Sequence, residues 1–356
     1  MKKHTFVIGL MLVGISVYSN DSLHDWNILD RNGNIVHVIK NAKQVAFFNG
    51  EIFIVEYEDG FVFLDKDFSE ILRGSFDLEC TGLFYDRIGY YDPTLKKYGY
   101  LNGEGEVIIE PRFDYVEGFV HGHAVVGFRD TSGPRPPRLT YRIIDTSGKY
   151  TNPNEFGFVE LPDLAPNKAL VSVKGKGKVC RFIQFDGSTW KPISTQKEFD
   201  FLKAAGNFVI YSTEHERGFG FVNWDDEILM EPIYDAVFST YGGRAIVSMR
   251  ENWRFVVDRF GNSIEIEVEG TMLHVFGDRY VTFLDDGKTG VYDYITKEVI
   301  IPPIYKNILI YNEGIFVVND EIGKKGFVNV QGDIIAEPIY DRVMAFFNGF
   351  GMGIKY

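Results

Sequence analysis

Residues 325–341 read KGFVNVQGDIIAEPIYD, and this stretch decides the fold because the chain repeats its plan. An aromatic segment with a glycine is followed by a turn rich in Asn, Gly and Asp, an apolar run and a proline motif. The same plan recurs as YGYLNGEGEVIIEPRFD at 98–114, FGFVNWDDEILMEPIYD at 219–235 and TGVYDYITKEVIIPPIYK at 289–306. Such internal repetition predicts a repeat architecture.

Weaker copies fill the gaps between these four stretches. Openings of the unit then lie near residues 27, 60, 99, 142, 181, 220, 254, 290 and 326. We therefore predict a repeat domain over residues 20–356 with about nine β units of 35–43 residues.

Each unit has the composition of short antiparallel strands. The 356 residues include 31 Phe, 20 Tyr and 37 Gly, so strand-favouring aromatic residues alternate with turn-forming ones. Turns such as DRNG at 30–33 supply the positive φ that tight hairpins need, and the proline removes a backbone donor and ends the pairing. The predicted fold class is all-β: tandem antiparallel β-meanders of three strands, or four with a short addition, which stack their Phe and Tyr on neighbouring units.

The sequence leaves two arrangements of the stacked units open. The array is either propeller-like and closed, for which about four to eight blades are typical, or an open superhelix. The first and last units show no obvious split strand to fasten a ring, which favours the superhelix.

These units resemble the WG-repeat family of bacterial proteins, which is named for a Trp-Gly opening. Residues 98–127, 218–248 and 288–354 follow the family pattern most clearly. The chain departs from the hallmark because Trp26 and Trp253 keep the tryptophan without the glycine. The resemblance implies tandem β-repeats and a binding role, and it implies no catalytic residue.

The N-terminus has the pattern of a secretory signal peptide. A basic start at residues 2–4 precedes an apolar run from Phe6 to Val17, and Val17 and Ser19 are small residues suited to signal-peptidase cleavage. We therefore predict a signal peptide at 1–19 and export to the periplasm, the cell surface or the medium. No later stretch is long and apolar enough to be transmembrane.

Charge and cysteine content restrict the partners. The net charge is −13, and an acidic surface repels phosphate backbones, so nucleic acid is not an expected partner. The two cysteines, Cys80 and Cys180, occupy different points of their units; free thiols and a disulfide both remain open.

Recurring acidic residues could carry chemistry, but their recurrence favours a structural interpretation. The carboxylates of the proline motifs could act in acid–base pairs, whereas the aspartates could simply cap loops. Residues 30–34 and 65–69 imitate the oxygen spacing of calcium loops, yet both lie where the unit needs a hairpin turn. The carboxylates of the proline motifs are Glu110, Glu231, Glu337, Asp114, Asp235 and Asp341.

Two non-repeated features remain as candidate sites. His121 and His123 would point to one face of a strand and form half of a metal site, although no third ligand is evident. Arg129, Arg135 and Arg138 lie in a proline-rich insertion of this acidic protein, where they could form a contact loop for an acidic partner or a merely solvated loop.

The functional expectation is an exported, non-enzymatic binding or scaffolding module for another macromolecule, in the first place a protein. One alternative is binding of a cell-envelope glycan or peptidoglycan through surface aromatic residues, and a hydrolase on a propeller-like scaffold is a further one. No cofactor is expected. Specific activity is expected where the repeat pattern breaks, around residues 129–140 and 150–168.

Overall fold

The computed structural model describes residues 23–48, 52–74, 87–102, 104–130, 138–152, 154–162, 165–173, 180–193, 201–205, 208–213, 216–241, 243–249, 253–258 and 260–356. The predicted signal peptide at 1–19 lies outside these residues. So does Cys80, and the open question of whether it pairs with Cys180 therefore concerns a residue outside this range. The described residues form strands and turns, and they include no helix that could cross a membrane.

The strands of the first half are β1 His24–Leu29, β2 Ile35–Ala42, β3 Gln44–Phe48, β4 Ile52–Tyr57, β5 Gly60–Leu64, β6 Glu70–Gly74, β7 Arg87–Asp92, β8 Lys97–Asn102, β9 Val107–Phe113, β10 Tyr115–Val116, β11 His123–Asp130, β12 Arg138–Asp145, β13 Phe156–Glu160, β14 Lys168–Val173, β15 Cys180–Phe185 and β16 Trp190–Pro192. Those of the second half are β17 Phe201–Ala205, β18 Phe208–Thr213, β19 Glu216–Asn223, β20 Ile228–Tyr234, β21 Ala236–Tyr241, β22 Arg244–Met249, β23 Trp253–Asp258, β24 Ser263–Glu265, β25 Thr271–Phe276, β26 Tyr280–Asp285, β27 Lys288–Asp293, β28 Glu298–Tyr305, β29 Asn307–Asn312, β30 Ile315–Asn319, β31 Lys325–Asn329, β32 Ile334–Tyr340, β33 Arg342–Phe347 and β34 Phe350–Ile354.

These strands form antiparallel meanders, which we call blades. Blade 1 is β3–β6, blade 2 is β7–β9, and blades 5 to 8 are the four-stranded sheets from β17–β20 to β29–β32. Strands β10 to β16 form one seven-stranded sheet. Because a single pair, Tyr141–Phe156, joins its two parts, we describe them as blade 3 (β10–β12) and blade 4 (β13–β16).

Blade 9 unites the two ends of the described chain. Its strand order is β2-β1-β34-β33, and β1 pairs with β34 through Asn27–Gly353, Ile28–Met352 and Leu29–Gly351. The expectation that the first and last units supply no split strand, which favoured an open superhelix, is therefore wrong. The blades close a ring in the manner of a β-propeller.

Apolar clusters hold the ring together, one at each of the nine junctions between consecutive blades of the described chain. At the junction of blades 8 and 9, Phe327 and Tyr340 pack on Phe346 and Leu29. At the junction of blades 9 and 1, Trp26 belongs to the cluster. The expected stacking core of Phe and Tyr is thus present, and it lies between blades because no single meander can bury both of its faces.

The unit read from the sequence is offset from the blade. Strands β31 and β32 complete blade 8, whereas β33 and β34, which follow in the same unit, begin blade 9. The expected three-stranded meander within one unit is therefore wrong. The prediction that the proline ends the pairing is also wrong, because β32 continues past Pro338 to Tyr340, which still pairs with Lys325. The chain then crosses at Asp341 to the next blade instead of folding back.

An Asx turn follows the third strand of each four-stranded blade, and the same turn follows β8 and β12, which occupy the corresponding position in blades 2 and 3. Its first residue accepts hydrogen bonds through Oδ1 from two following backbone amides, at 2.8–3.1 Å. The calcium-like spacing at 30–34 and 65–69 is explained by these turns, since the oxygens serve the backbone. The first residues of the nine turns are Asp30, Asp65, Asn102, Asp145, Asp186, Asn223, Asp258, Asp293 and Asn329.

The glycine of the third strand allows the fourth strand to pass at very short range. A Cβ at Gly326 would lie 2.5 Å from the carbonyl oxygen of Ala336 and 2.7 Å from the nitrogen of Pro338. The same contact with a backbone oxygen would occur at 2.4 Å for Gly99, 2.6 Å for Gly220 and 2.8 Å for Gly290. The glycine recurs because only a residue without a side chain fits beneath the bulged fourth strand.

Replacing this glycine should therefore destabilise the protein more than replacing a turn glycine nearby. We expect Gly326→Ala to cost about 3 kcal/mol because the methyl group meets backbone atoms on the opposite strand. Gly323→Ala is the matched control, since Gly323 has a φ of +86° but open space around it, which costs about 1–2 kcal/mol. Urea unfolding measures both; equal shifts of the midpoint would contradict the assigned contact.

Removal of β34 should open the ring. We expect deletion of residues 350–356 to abolish the exchange protection of those amides of residues 27–29 that bond to β34 and to lower the unfolding midpoint, because β1 loses one of its two partner strands. Deletion of residues 355–356 alone is the control, since it leaves β34 intact. Hydrogen exchange gives the readout, and retained protection in the longer deletion would show that β34 does not fasten the ring.

Candidate functional site: the hairpin of blade 3 and the adjoining histidine cleft

The ring has two faces with different connections. Because strands alternate in direction, turns between second and third strands share one face with the links from blade to blade; we call this the upper face. Turns between first and second strands and the Asx turns share the opposite, lower face. Arg129 and Arg138, at the described ends of the insertion, lie on the upper face, and both histidines lie on the lower one.

The hairpin β11–β12 carries the predicted contact loop. Its strands pair without interruption from His123–Asp145 to Asp130–Arg138. Seven residues join them, against two residues between β26 and β27 in blade 7. Arg129 and Arg138 are exposed at the end of this hairpin, whereas Arg135 lies outside the described residues.

The two described arginines point to different sides of the hairpin. Arg129 is opposite Leu139, and Arg138 is opposite Asp130, so that neighbouring positions place the two side chains on opposite faces. Within the described part of the chain, neither side chain takes part in an ion pair. Both guanidinium groups are therefore available to an external acceptor.

A partly buried carboxylate braces the base of this hairpin. Asp114 accepts a hydrogen bond from Lys97 Nζ at 2.6 Å and one from the backbone amide of Arg129 at 3.0 Å. Burial of Asp114 opposes its ionisation, but the bonds from Lys97 and the Arg129 amide outweigh burial and lower the pKa of Asp114. The carboxylate thus joins the third strand of blade 2 to the second strand of blade 3.

The same brace recurs where the ring closes. Asp341 accepts hydrogen bonds from Lys324 Nζ at 2.6 Å and from the Tyr356 amide at 2.7 Å, and these bonds lower the pKa of Asp341. These two aspartates of the proline motif therefore link blades, which is the structural use that recurrence suggested. Sequence reasoning missed the lysine partners. The available signal was a lysine two residues before the glycine of the unit, which is Lys97 before Gly99 and Lys324 before Gly326.

The two histidines lie in different local structures. His121 lies in a turn with a φ of 49°, while His123 is the first residue of β11 and is only 7% exposed. The ring of His123 packs against Phe185 and Trp190, with centroid distances of 4.5 and 5.2 Å. The two imidazoles do not share one face of a strand, and the described residues contain no group of three or more potential metal ligands around them.

A narrow cleft lies beside these histidines, between blades 3 and 4. It is lined by His121 and His123 of blade 3 and by Leu161, Pro162, Lys168 and Trp190 of blade 4. Part of the non-repetitive segment 150–168 therefore lines the cleft. Trp190 is held in place because its Nε1 donates a hydrogen bond to Thr151 Oγ1 at 2.9 Å.

The buried His123 should make stability depend on pH. Burial lowers the pKa of His123 below its ordinary value of 6.5, because the aromatic surroundings disfavour the imidazolium. The unfolded chain then binds the proton more readily, so stability is full above about pH 6.5 and falls as the pH drops below this value. From about pH 7.5 to about pH 5, we expect the urea midpoint of His123→Phe to fall less than that of the unmodified protein. Equal decreases would contradict a neutral, buried His123.

Comparison with known proteins agrees with this geometry. Four stretches, residues 98–129, 219–253, 290–321 and 326–352, match the model of the WG containing repeat. The chain thus contains four WG repeats. The four matches begin in or next to the third strand of a blade, and they run on into the second strand of the following blade, so the family repeat shows the same offset as the unit in the sequence.

One of three similar solved structures supports the fold, and the other two match this chain less closely. A crystal structure titled as the eukaryotic initiation factor covers 94% of this chain and 98% of its own, with 9% identity and a TM-score of 0.58, which supports the fold alone. The computationally designed Ika8 protein covers 87% and 95%, with 12% identity and a TM-score of 0.41. BamB from Moraxella catarrhalis covers 75% and 88%, with 12% identity and a TM-score of 0.35. No curated protein matches the sequence.

Proposed function

We propose that this protein is an exported, non-enzymatic binding module whose upper face, at the hairpin β11–β12, contacts an acidic surface of a partner protein. The observation that carries the proposal is the exposure of Arg129 and Arg138 at the end of an extended hairpin. These two cations stand on a chain that has 50 acidic and only 37 basic residues.

The chemistry of arginine supports a carboxylate-bearing partner. A guanidinium is planar and always charged, and it binds a carboxylate through two parallel hydrogen bonds. Because Arg129 and Arg138 lie on opposite faces of the hairpin, the hairpin can insert between two acidic groups. Local positive charge on an acidic protein also orients the encounter with such a partner.

The base of the hairpin is suited to hold these side chains in place. The Asp114 carboxylate is bonded to the Arg129 amide and to Lys97, which fixes the end of β11 relative to blade 2. Loops on a rigid scaffold commonly carry function, because the scaffold removes the cost of ordering them on binding.

The non-enzymatic part of the proposal rests on how the repeated carboxylates are used. Asp114 and Asp341 link blades, and the nine Asx residues serve turns. The part that concerns export rests on the segment 1–19, and cell fractionation with N-terminal sequencing of the mature chain tests it.

Charge reversal tests the binding proposal. Immobilised protein is incubated with envelope extract of the source cells, and captured proteins are quantified by mass spectrometry. We expect Arg129→Glu/Arg138→Glu to reduce capture of an acidic partner on the order of tenfold, because like charges then meet across the interface. The control Lys66→Glu/Lys149→Glu makes the same change of charge in Asx turns on the lower face.

The melting temperatures are compared first, so that both variants are known to be as stable as the unmodified protein. Loss of capture in the upper-face variant alone supports the proposal. Equal capture by all three proteins, or equal loss in both variants, contradicts an interface at this hairpin.

A further inference from the structure

A second cleft, on the lower face between blades 7 and 8, has the features of a binding site. Its lining residues are Gly277, Asp278, Arg279, Tyr280, Ile295 and Tyr311. Three residues join β25 to β26 here, whereas two residues join β29 to β30 and β33 to β34. The longer turn of blade 7 places Asp278 and Arg279 at the mouth of the cleft, where both are exposed.

Arg279 is held in a fixed orientation. Its Nε lies 2.5 Å from Oδ2 of Asp293, whose side chain is only 2% exposed, while 49% of the Arg279 side chain is exposed. Asp293 also accepts hydrogen bonds from the amides of Ile295 and Thr296 at 2.9 and 3.1 Å. The Nη atoms of Arg279 bond no acceptor among the described residues, so a ligand can reach donors that are already positioned.

Aromatic side chains form the inner wall of this cleft. The Arg279 guanidinium lies 5.8 Å from the ring centroid of Tyr280, and the Tyr280 ring lies 5.4 Å from that of Tyr311. Ile295 adds an aliphatic surface that is 54% exposed. A ligand in the cleft therefore meets an apolar wall on one side and charged groups at the mouth.

The mixed charges select the class of ligand. An anion would gain from Arg279, but Asp278 beside it would repel the anion, and a cation would meet the reverse conflict. A neutral group with several hydroxyls has no such conflict, because hydroxyls accept from the guanidinium and donate to the carboxylate. Sugars also have an apolar face of C–H groups that can lie on Tyr311 and Ile295.

We propose that this cleft binds one hexose unit of a neutral oligosaccharide. The open cleft has a volume of about 300 Å³, which lies at the lower end of the usual range of small-ligand sites. This proposal concerns residues of the lower face and does not depend on the hairpin of blade 3, so either can fail without the other.

Isothermal titration of the whole chain with defined oligosaccharides tests the proposal. The neutral probes are maltotetraose, cellotetraose and tetra-N-acetylchitotetraose, and a trimer of galacturonic acid is the anionic comparison. We expect saturable binding of at least one neutral probe and no tighter binding of the anionic one. Absence of binding by all three neutral probes, or preference for the galacturonic acid trimer, would overturn the proposal.

Variants locate the binding to the cleft. We expect Asp278→Ala and Arg279→Ala each to weaken binding of the neutral probe on the order of tenfold, because each removes hydrogen bonds to sugar hydroxyls. Asp278 is exposed, so its variant keeps the fold even if loss of Arg279 from the buried Asp293 lowers the melting temperature. The control is Asp285→Ala at the opposite end of β26. Unchanged affinity in Asp278→Ala would place the sugar elsewhere and refute the site.

Discussion

The antiparallel pairing of β1 with β34 is the constraint on which the rest of the molecule depends. A single meander has two faces and can bury them only against neighbours on both sides. In an open array, the first and last blades would each leave one apolar face in water. The pairs Asn27–Gly353 and Leu29–Gly351 remove both ends at once, and Trp26 and Met344 then enter the cluster shared by blades 9 and 1. All nine junctions can therefore be apolar, although each blade is small.

The same closure shows why the repeat could be predicted and the ring could not. Turn aspartates, the glycine of the third strand and the proline act within about 20 residues of one another, so their spacing is visible in the sequence. Closure joins Asn27 to Gly353, which are 326 residues apart. The order of strands within the repeated unit nevertheless implies that the ring closes. Each unit contributes the third and fourth strands of one blade and the first and second strands of the next. The last unit therefore starts a blade with β33 and β34, and β1 and β2 complete it.

Sequence reasoning could single out a candidate contact loop only where the repeat pattern breaks locally. The insertion at 129–138 was recognisable because its prolines and arginines interrupt an acidic repeat, and the structure places Arg129 and Arg138 at the surface. The expectation that His121 and His123 point to the same face assumed that both lie in one strand, because residues two positions apart share a face only there. His121 lies in a turn instead. The cleft at Arg279 was missed because Tyr311 comes from the next blade, and such proximity has no signal in a single sequence.

The offset between unit and blade also explains where this protein can vary. Units meet at the turn between a second and a third strand, and this turn touches neither the Asx residue nor the glycine contact. An insertion there, such as that between Asp130 and Arg138, leaves every repeated interaction in place. Its entropic cost is also small, since doubling the length of a flexible loop costs about 0.6 kcal/mol. Long loops are therefore tolerated mainly on the upper face, whereas the nine recurring Asx turns that follow third strands lie on the lower face. On the lower face, new binding surfaces must arise instead from small changes in the turns between first and second strands, as at Asp278 and Arg279.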